Sequence, residues 1–491
     1  MAPYYRETHT TELPPSDLVA QLGLEELESP HYKATSGPLS TSYAYSEPRE
    51  MTLARAWIES FKRLGYQTGT DLSAGGATGA FLNATTVNGV TKERSYSASA
   101  YYKPAQKRPN LHVLTGVVVE KILFDTSGPS AVATGVRLVR NNKTTLQTID
   151  ARKEVILAAG TFNSPKLLEL SGIGGKDLLL SKGVDLIIDH PNVGENFHDH
   201  PMTGMSYEVA DHTSTLDDLT RQEPQAVGTA MEAYQNSRTG PFSAGAVNSF
   251  AFTPVDEFQS ADGKATLEKL LKDHEMEAPS IQYDMLRSVY SSADQSSGLY
   301  FVYSAQGNFG ADSTTGMTEA ADPANFITIV CEISYPLSRG SSHISSSSPT
   351  DPPKFDPGYL RNSLDVEILA RQALFMEKII SAEPLAPLLK PGGKRLPSYG
   401  QFSDLDSAKE YLRHTTTSGW HPVGTCAMLP RDKGGVVDDR LVVYGTTNLR
   451  VVDASIMPLI SRGNTQSTVY AVAEKAADLI KETQRLERGA D

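Results

Sequence analysis

The chain has 491 residues and a formal net charge of −13, with 39% hydrophobic and 21% charged residues. This is globular composition, with material for two or three domains and a sizeable core, and it excludes disorder. There is no dense Lys/Arg run, so no basic face is available for a nucleic-acid backbone. Cys331 and Cys426 lie too far apart for a disulfide scaffold or a C-x-x-C zinc site; one disulfide stays open, and a reduced compartment is the simpler reading.

In chain order, Met1–Ser16 is polar and lacks the apolar core of a signal peptide. No stretch reaches the roughly 18–20 apolar residues that a membrane helix needs. The chain as given is expected to be cytoplasmic; a leader lost with an absent N-terminal segment would make it secreted. Leu53, Trp57, Ile58, Phe61 and Leu64 share one face and predict a helix over 50–64, stopped by Gly65. Residues 71–90, rich in Gly, Ala, Asn and Thr, predict a loop. Strands are predicted over 113–124 and 133–139, with a turn at Ser127-Gly128-Pro129. The run 154–158 predicts a buried strand. A helix follows, with Ser164 as cap, Pro165 in its first turn and Gly172 as stop. Helical spacing recurs at 264–274 and 364–380. Residues 327–335 read as a strand, and the Ser-rich 341–350 as a hairpin or surface loop. Near the end, 449–452 predicts a strand and 467–480 an amphipathic helix, followed by a frayed charged tail.

Two long strings carry the chemistry. Gly160-Thr-Phe-Asn-Ser-Pro-Lys-Leu-Leu-Glu-Leu-Ser-Gly-Ile-Gly174 continues into Val193-Gly-Glu-Asn-Phe-His-Asp-His-Pro201. It describes a strand, a tight Gly turn and a capped helix, an arrangement that lets backbone approach a cofactor closely. Trp420-His421-Pro-Val-Gly-Thr-Cys-Ala-Met428 leads through Gly435-Val-Val-Asp438 to Asn448-Leu-Arg-Val-Val-Asp-Ala-Ser-Ile-Met-Pro458, and Gly463-Asn464-Thr465-Gln466 opens the last helix. Alone, His421 reads as a satisfied core histidine and Asn464 as a helix N-cap. His198 and His200 form an H-x-H pair, but no nearby Cys or third His supports a metal, so none is expected. Ser243 has the wrong spacing for a nucleophile elbow. Asn83-Ala-Thr85 and Asn142-Lys-Thr144 are sequons that matter only in a secreted chain.

Together these strings resemble the glucose–methanol–choline (GMC) oxidoreductases, and the resemblance runs with gaps from about Tyr5 to Ile480. It extends to Asn110–Gly116, Pro336-Leu-Ser-Arg-Gly340 and Phe355–Leu360. It implies an α/β fold (α+β overall): an incomplete FAD-binding Rossmann-like domain plus a substrate domain with an antiparallel sheet flanked by helices. The implied division is 1–204 for the remaining FAD-binding region, 205–405 for the substrate domain and 406–491 for the C-terminal region. It implies His421 as general base and Asn464 as the second active-site residue, with the last helix aiming its N-terminus at the flavin. Val119, Gly160, Asp453, Ala454 and Thr465 would meet FAD. The substrate would be a small alcohol or a polyketide-like molecule, with no nucleic acid or membrane as partner.

The Gly-x-Gly-x-x-Gly turn that cradles a dinucleotide is not found in the sequence; Ser73–Gly79 is Gly-rich but has the wrong spacing. The chain reads as starting where the first βαβ unit of roughly 30 residues would end. The expectation is exposed apolar surface and unpaired strand edges, completed by a partner or a missing segment. The leading expectation is hydride transfer from an alcohol to flavin. The alternatives are flavin-independent cyclisation or dehydration in the same pocket, and a catalytically silent homologue.

Overall fold

The computed structural model describes residues 1–13, 19, 36–43, 48–68, 76, 78–140, 146–245, 247, 249–273, 280–311, 316–318, 322–398 and 402–489. Most of Ser73–Gly79, the sequon at Asn142 and the end of the helix expected at 264–274 lie outside them.

The larger body is a mostly antiparallel sheet. Its order is Arg395–Leu396, Pro201–Glu208, Phe326–Ile333, Gly298–Tyr303, Ser249–Thr253 and Gly79–Leu82, and Thr417–Ser418 also pairs with Pro201–Glu208. Both faces of Phe326–Ile333 are covered, so every residue of that strand is buried. Side chains alternate across a strand. Ile327, Ile329, Cys331 and Ile333 therefore join the core beneath the helices Pro48–Arg63 and Ser363–Ser381, while Val330 packs with Met202 and Phe309 on the other face. Trp57 and Phe61 insert fully into that core, and the Trp57 indole N–H donates to the Phe250 carbonyl at 3.1 Å.

The smaller body is built on Val117–Asp125, Val132–Arg140 and Leu146–Asp150, an antiparallel meander. Beside it Val155–Leu157 and Leu449–Val451 form a two-stranded parallel sheet. Ile122, Leu157, Leu168, Val436, Val451 and Val472 close its core. The sheets do not respect the expected division at 204/205. The strand Pro201–Glu208 crosses it, and Gly79–Leu82 from the first segment pairs with Ser249–Thr253.

The helices expected at 50–64 and 364–380 are found at Pro48–Arg63 and Ser363–Ser381. Four expectations are corrected. The loop at 71–90 contains the strand Gly79–Leu82, four buried residues too few to show an alternation. The helix after the Gly turn runs Gly160–Leu170, so it starts a turn earlier than Ser164, whose hydroxyl inside the helix donates to Asp453 at 2.5 Å and accepts from the Ala159 N–H at 3.1 Å. The strand at 154–158 is not buried on both faces: Ile156 is 45% exposed, and among the described residues one strand, Leu449–Val451, pairs with it. The last helix runs Gln466–Gly489, through the segment expected to fray. The Ser-rich stretch is a hairpin in which Ser341–His343 pairs with Lys354–Asp356. Both cysteines are buried free thiols.

One ion pair ties that hairpin to the helix Gly160–Leu170. His343 Nδ1 lies 2.6 Å from Glu169 and Nε2 lies 3.1 Å from Glu195. Burial opposes the imidazolium, but the two carboxylates outweigh it and raise its pKa to about 9. The folded state thus binds this proton more tightly than the unfolded chain, whose histidines titrate near 6.5. The stabilisation is complete below that value and is lost as pH rises through 9. His343→Ala should therefore cost roughly 2–3 kcal/mol at pH 6 and much less above pH 10, read from denaturant midpoints of both proteins at both pH values.

Candidate active site

The site is assembled by backbone stitching between the two motif strings. His198 and Val423 exchange N–H···O bonds of 3.1 and 2.9 Å, and Gly419 N–H donates to the His200 carbonyl at 2.8 Å. Asp199 braces both sides. Its Oδ1 accepts from the backbone N–H of His200 and of His421, each at 2.8 Å. Its Oδ2 accepts from Tyr359 and Ser418 hydroxyls at 2.5 Å. Gly424 must be glycine: its φ is +99°, and a Cβ there would strike the Asn196 carbonyl and the His198 ring.

This frame sets His421, 8% exposed, against Asn464 at the opening of the last helix. Asn464 Nδ2 lies 2.9 Å from His421 Nε2. The helix starts at Gln466, so Thr465, whose carbonyl accepts from Val469 N–H, precedes its first turn. Asn464 is exposed, with its amide turned to the imidazole rather than to the helix backbone. Trp420, 53% exposed with φ of +60°, flanks the histidine.

Behind His421 lie two groups the sequence did not single out for catalysis. His421 Nδ1 is 3.0 Å from His200 Nδ1, and the rings meet edge-on at 5.0 Å. His200 Nε2 donates to the Ser334 carbonyl at 3.0 Å. Glu332, 1% exposed, places Oε1 3.0 Å from His200 Nδ1 and Oε2 3.9 Å from His421 Nδ1. Burial lowers the pKa of His421, against the pull of Glu332 and Asp199. Burial also opposes charge on His200, but Glu332 outweighs it and the net shift is upward. The signal for Glu332 was present: one carboxylate in the apolar run Phe326-Ile-Thr-Ile-Val-Cys-Glu-Ile333, where a charge is expensive without a partner.

The H-x-H pair does not converge. His198 Nδ1 bonds the Asn196 carbonyl at 2.6 Å, and burial holds its pKa well below the ordinary value. Among the described residues, His200, Glu332 and His421 are the one group of donors within reach of a shared cation. Their Nδ1–Nδ1 distance of 3.0 Å is that of a hydrogen bond, so a proton accounts for the contact.

The residues implied for FAD fall in two places. Asp453 Oδ2 accepts from the Gly160 N–H at 3.0 Å and from Ser164, and its Oδ1 accepts from the Ser455 N–H at 2.8 Å and the Ser455 hydroxyl at 2.5 Å. Ala454 continues this turn, and its carbonyl accepts from Gly424 N–H at 3.3 Å, so this cluster is joined to the His421 loop. Gly160 has a φ of +82° and open space where a Cβ would sit, the kind of cradle a flat cofactor needs. Val119 stands apart on the meander, half-buried opposite Leu138 beside a β-bulge.

Family models described as GMC oxidoreductase match residues 23–202 and 336–473. A GMC oxidoreductase family protein, Mala s 12, of Malassezia sympodialis is 33% identical over 408 residues, covering 82% of this chain; the chain spans only 61% of that relative's length. Dehydrogenase mpl7 of Monascus purpureus is 33% identical over 477 residues, covering 92% of this chain and 74% of its own. An FAD-dependent oxidoreductase from Chaetomium thermophilum superposes with a TM-score of 0.84 at 25% identity, covering 99% of this chain and 80% of its own. Joined to the His421–Asn464 pairing and the Gly160 turn held by Asp453, these likenesses place the chain in one family: it belongs to the GMC oxidoreductases.

Proposed function

We propose that this chain carries the active site of a flavin-dependent enzyme that oxidises an alcohol to a carbonyl compound. The observation that carries the reading is the 2.9 Å approach of His421 Nε2 to the exposed Asn464 amide. With the Asn464 N–H donating, Nε2 presents a lone pair, as a general base requires. An alcohol hydroxyl entering between them would give its proton to Nε2 and rest its oxygen on the Asn464 amide. Burial, which depresses the basicity of His421, keeps it unprotonated and ready to accept.

Gly160, Asp453, Ala454 and Thr465 are proposed to hold the flavin end of FAD, and Val119 its adenine end. The cofactor would supply the hydride acceptor. The turn at Gly160 suits that role, since it brings backbone up to an open space and is anchored by Asp453. The nucleotide-binding half is proposed to be incomplete in the described chain. Among the described residues the parallel pair Val155–Leu157 and Leu449–Val451 forms a sheet of two strands, and Ile156, Val113 and Leu114 are 45%, 56% and 44% exposed. Parallel strands are ordinarily covered on both faces. Further strands, from a longer polypeptide or a partner, would cover them.

The test is optical. The protein is mixed with FAD, freed of excess cofactor and titrated anaerobically with primary, benzylic and polyketide-derived alcohols. A bound flavin spectrum that bleaches with one of these classes is expected. A colourless protein that converts such a substrate, and loses that activity in His421→Ala, would replace oxidation with flavin-independent acid–base catalysis.

A further inference from the structure

Asn464, His421, His200 and the Ser334 carbonyl form a directed chain of hydrogen bonds. The Ser334 carbonyl can only accept, so His200 carries its hydrogen on Nε2 and turns a bare Nδ1 towards His421. The Asn464 amide donates to His421 Nε2, so His421 carries its hydrogen on Nδ1. The 3.0 Å contact between the two Nδ1 atoms is then a donation from His421 to His200. In this resting arrangement Glu332 Oε1 faces a lone pair on His200 at 3.0 Å, and this buried oxygen has no hydrogen-bond donor. A buried carboxylate oxygen without a donor costs free energy. A positive charge on His200 at another stage would be stabilised by this carboxylate 3.0 Å away, through its charge rather than through a hydrogen bond.

We propose that the proton removed from the alcohol by His421 is handed on to His200 and held there against Glu332. The O–H bond of the alcohol breaks as an N–H bond forms at His421 Nε2. The Nδ1–H bond of His421 breaks as one forms at His200 Nδ1. His421 is left neutral with its hydrogen on Nε2, and His200, still donating from Nε2 to Ser334, becomes an imidazolium beside a carboxylate. One proton has moved and no electrons with it; the hydride leaves the alcohol carbon for the flavin. The source of the proton rests on the proposed oxidation, whereas the proton-holding site rests only on the geometry of His200, Glu332 and His421. Glu332 is thus a positioning residue for the charge, not a group that touches substrate.

The charges around this relay favour it. Asp199, whose Oδ1 is bonded to the backbone N–H of both histidines, favours positive charge on each imidazole, and burial holds the pKa of His198 well below its ordinary value. Tyr359, bonded to Asp199, remains a neutral phenol, with its pKa raised by burial and by that carboxylate. The shifts of the two imidazoles run in opposite directions, up for His200 beside Glu332 and down for His421, and both favour the transfer.

The experiment is an imidazole nitrogen NMR titration of the full chain labelled in histidine, with the two rings assigned from His421→Ala and His200→Gln. As pH falls, His200 should become doubly protonated before His421. Glu332→Gln should lower the His200 midpoint by about one pH unit or more. Glu332→Asp, which keeps the charge, should lower it less. Protonation of His421 before His200, or a His200 midpoint unmoved in Glu332→Gln, overturns the proposal. In turnover with an oxidised alcohol, the relay must start unprotonated, so rate falls as pH drops through the His200 midpoint. Glu332→Gln should shift that acid limb to lower pH and lower kcat above it by about tenfold, and an unshifted limb also overturns it. If the protein oxidises no alcohol, the redox reading fails while the nitrogen titration still decides whether the proton site exists.

Discussion

His421→Ala should lower kcat for the proposed alcohol oxidation by about 10²–10⁴, the ordinary contribution of a positioned general base. The imidazole is held by the N–H of its own backbone on Asp199, by His200 behind it and by Asn464 in front. Its removal takes away the proposed proton acceptor but leaves the Asn464 amide proposed to face substrate. The loss should therefore appear in kcat with a smaller change in KM, which marks an interaction made mainly in the transition state. Asn464→Ala should do the reverse in part, weakening substrate binding as well as turnover. The measurement is a steady-state comparison of both variants against one alcohol, with circular dichroism as a control for folding. A His421→Ala protein within threefold of the parent would remove the histidine from the chemistry.

Asp453→Ala should be the most destabilising single change near the site, by about 3–5 kcal/mol. The carboxylate is 7% exposed and accepts four hydrogen bonds, two from the Gly160 turn and two from Ser455. Bonds to a charged acceptor are each worth about 1.5–3 kcal/mol, and truncation leaves buried donors unmatched. Asp453→Asn retains one carbonyl oxygen and should lose noticeably less. Urea midpoints of the three proteins test the order. The Gly160 turn would also lose its anchor, so Asp453→Ala should weaken the proposed FAD binding beyond its effect on stability.

The helices Pro48–Arg63 and Ser363–Ser381 were legible because an apolar stripe at helical spacing survives in any fold that buries one face. Gly79–Leu82 was not, since a four-residue strand carries too little alternation and its burial is decided by Ser249–Thr253, distant in sequence. The same holds for the sheet that crosses residue 204: pairing between Pro201–Glu208 and Phe326–Ile333 is a long-range choice with no local signature.

At the site, the sequence alone determined the residue types and their local setting: an imidazole before a Pro-Val-Gly turn, an amide ahead of an amphipathic helix, and an acid after a short strand. Local chemistry suffices there, because turns and helix ends are specified by neighbouring residues. What only the tertiary structure decided is which groups meet. It separated His198 from His200, set His200 and Glu332 behind His421, and left Ile156 with one flanking strand. The physical reason is that these contacts join residues far apart in sequence. Their distances depend on how whole sheets pack, which periodicity along the chain does not encode.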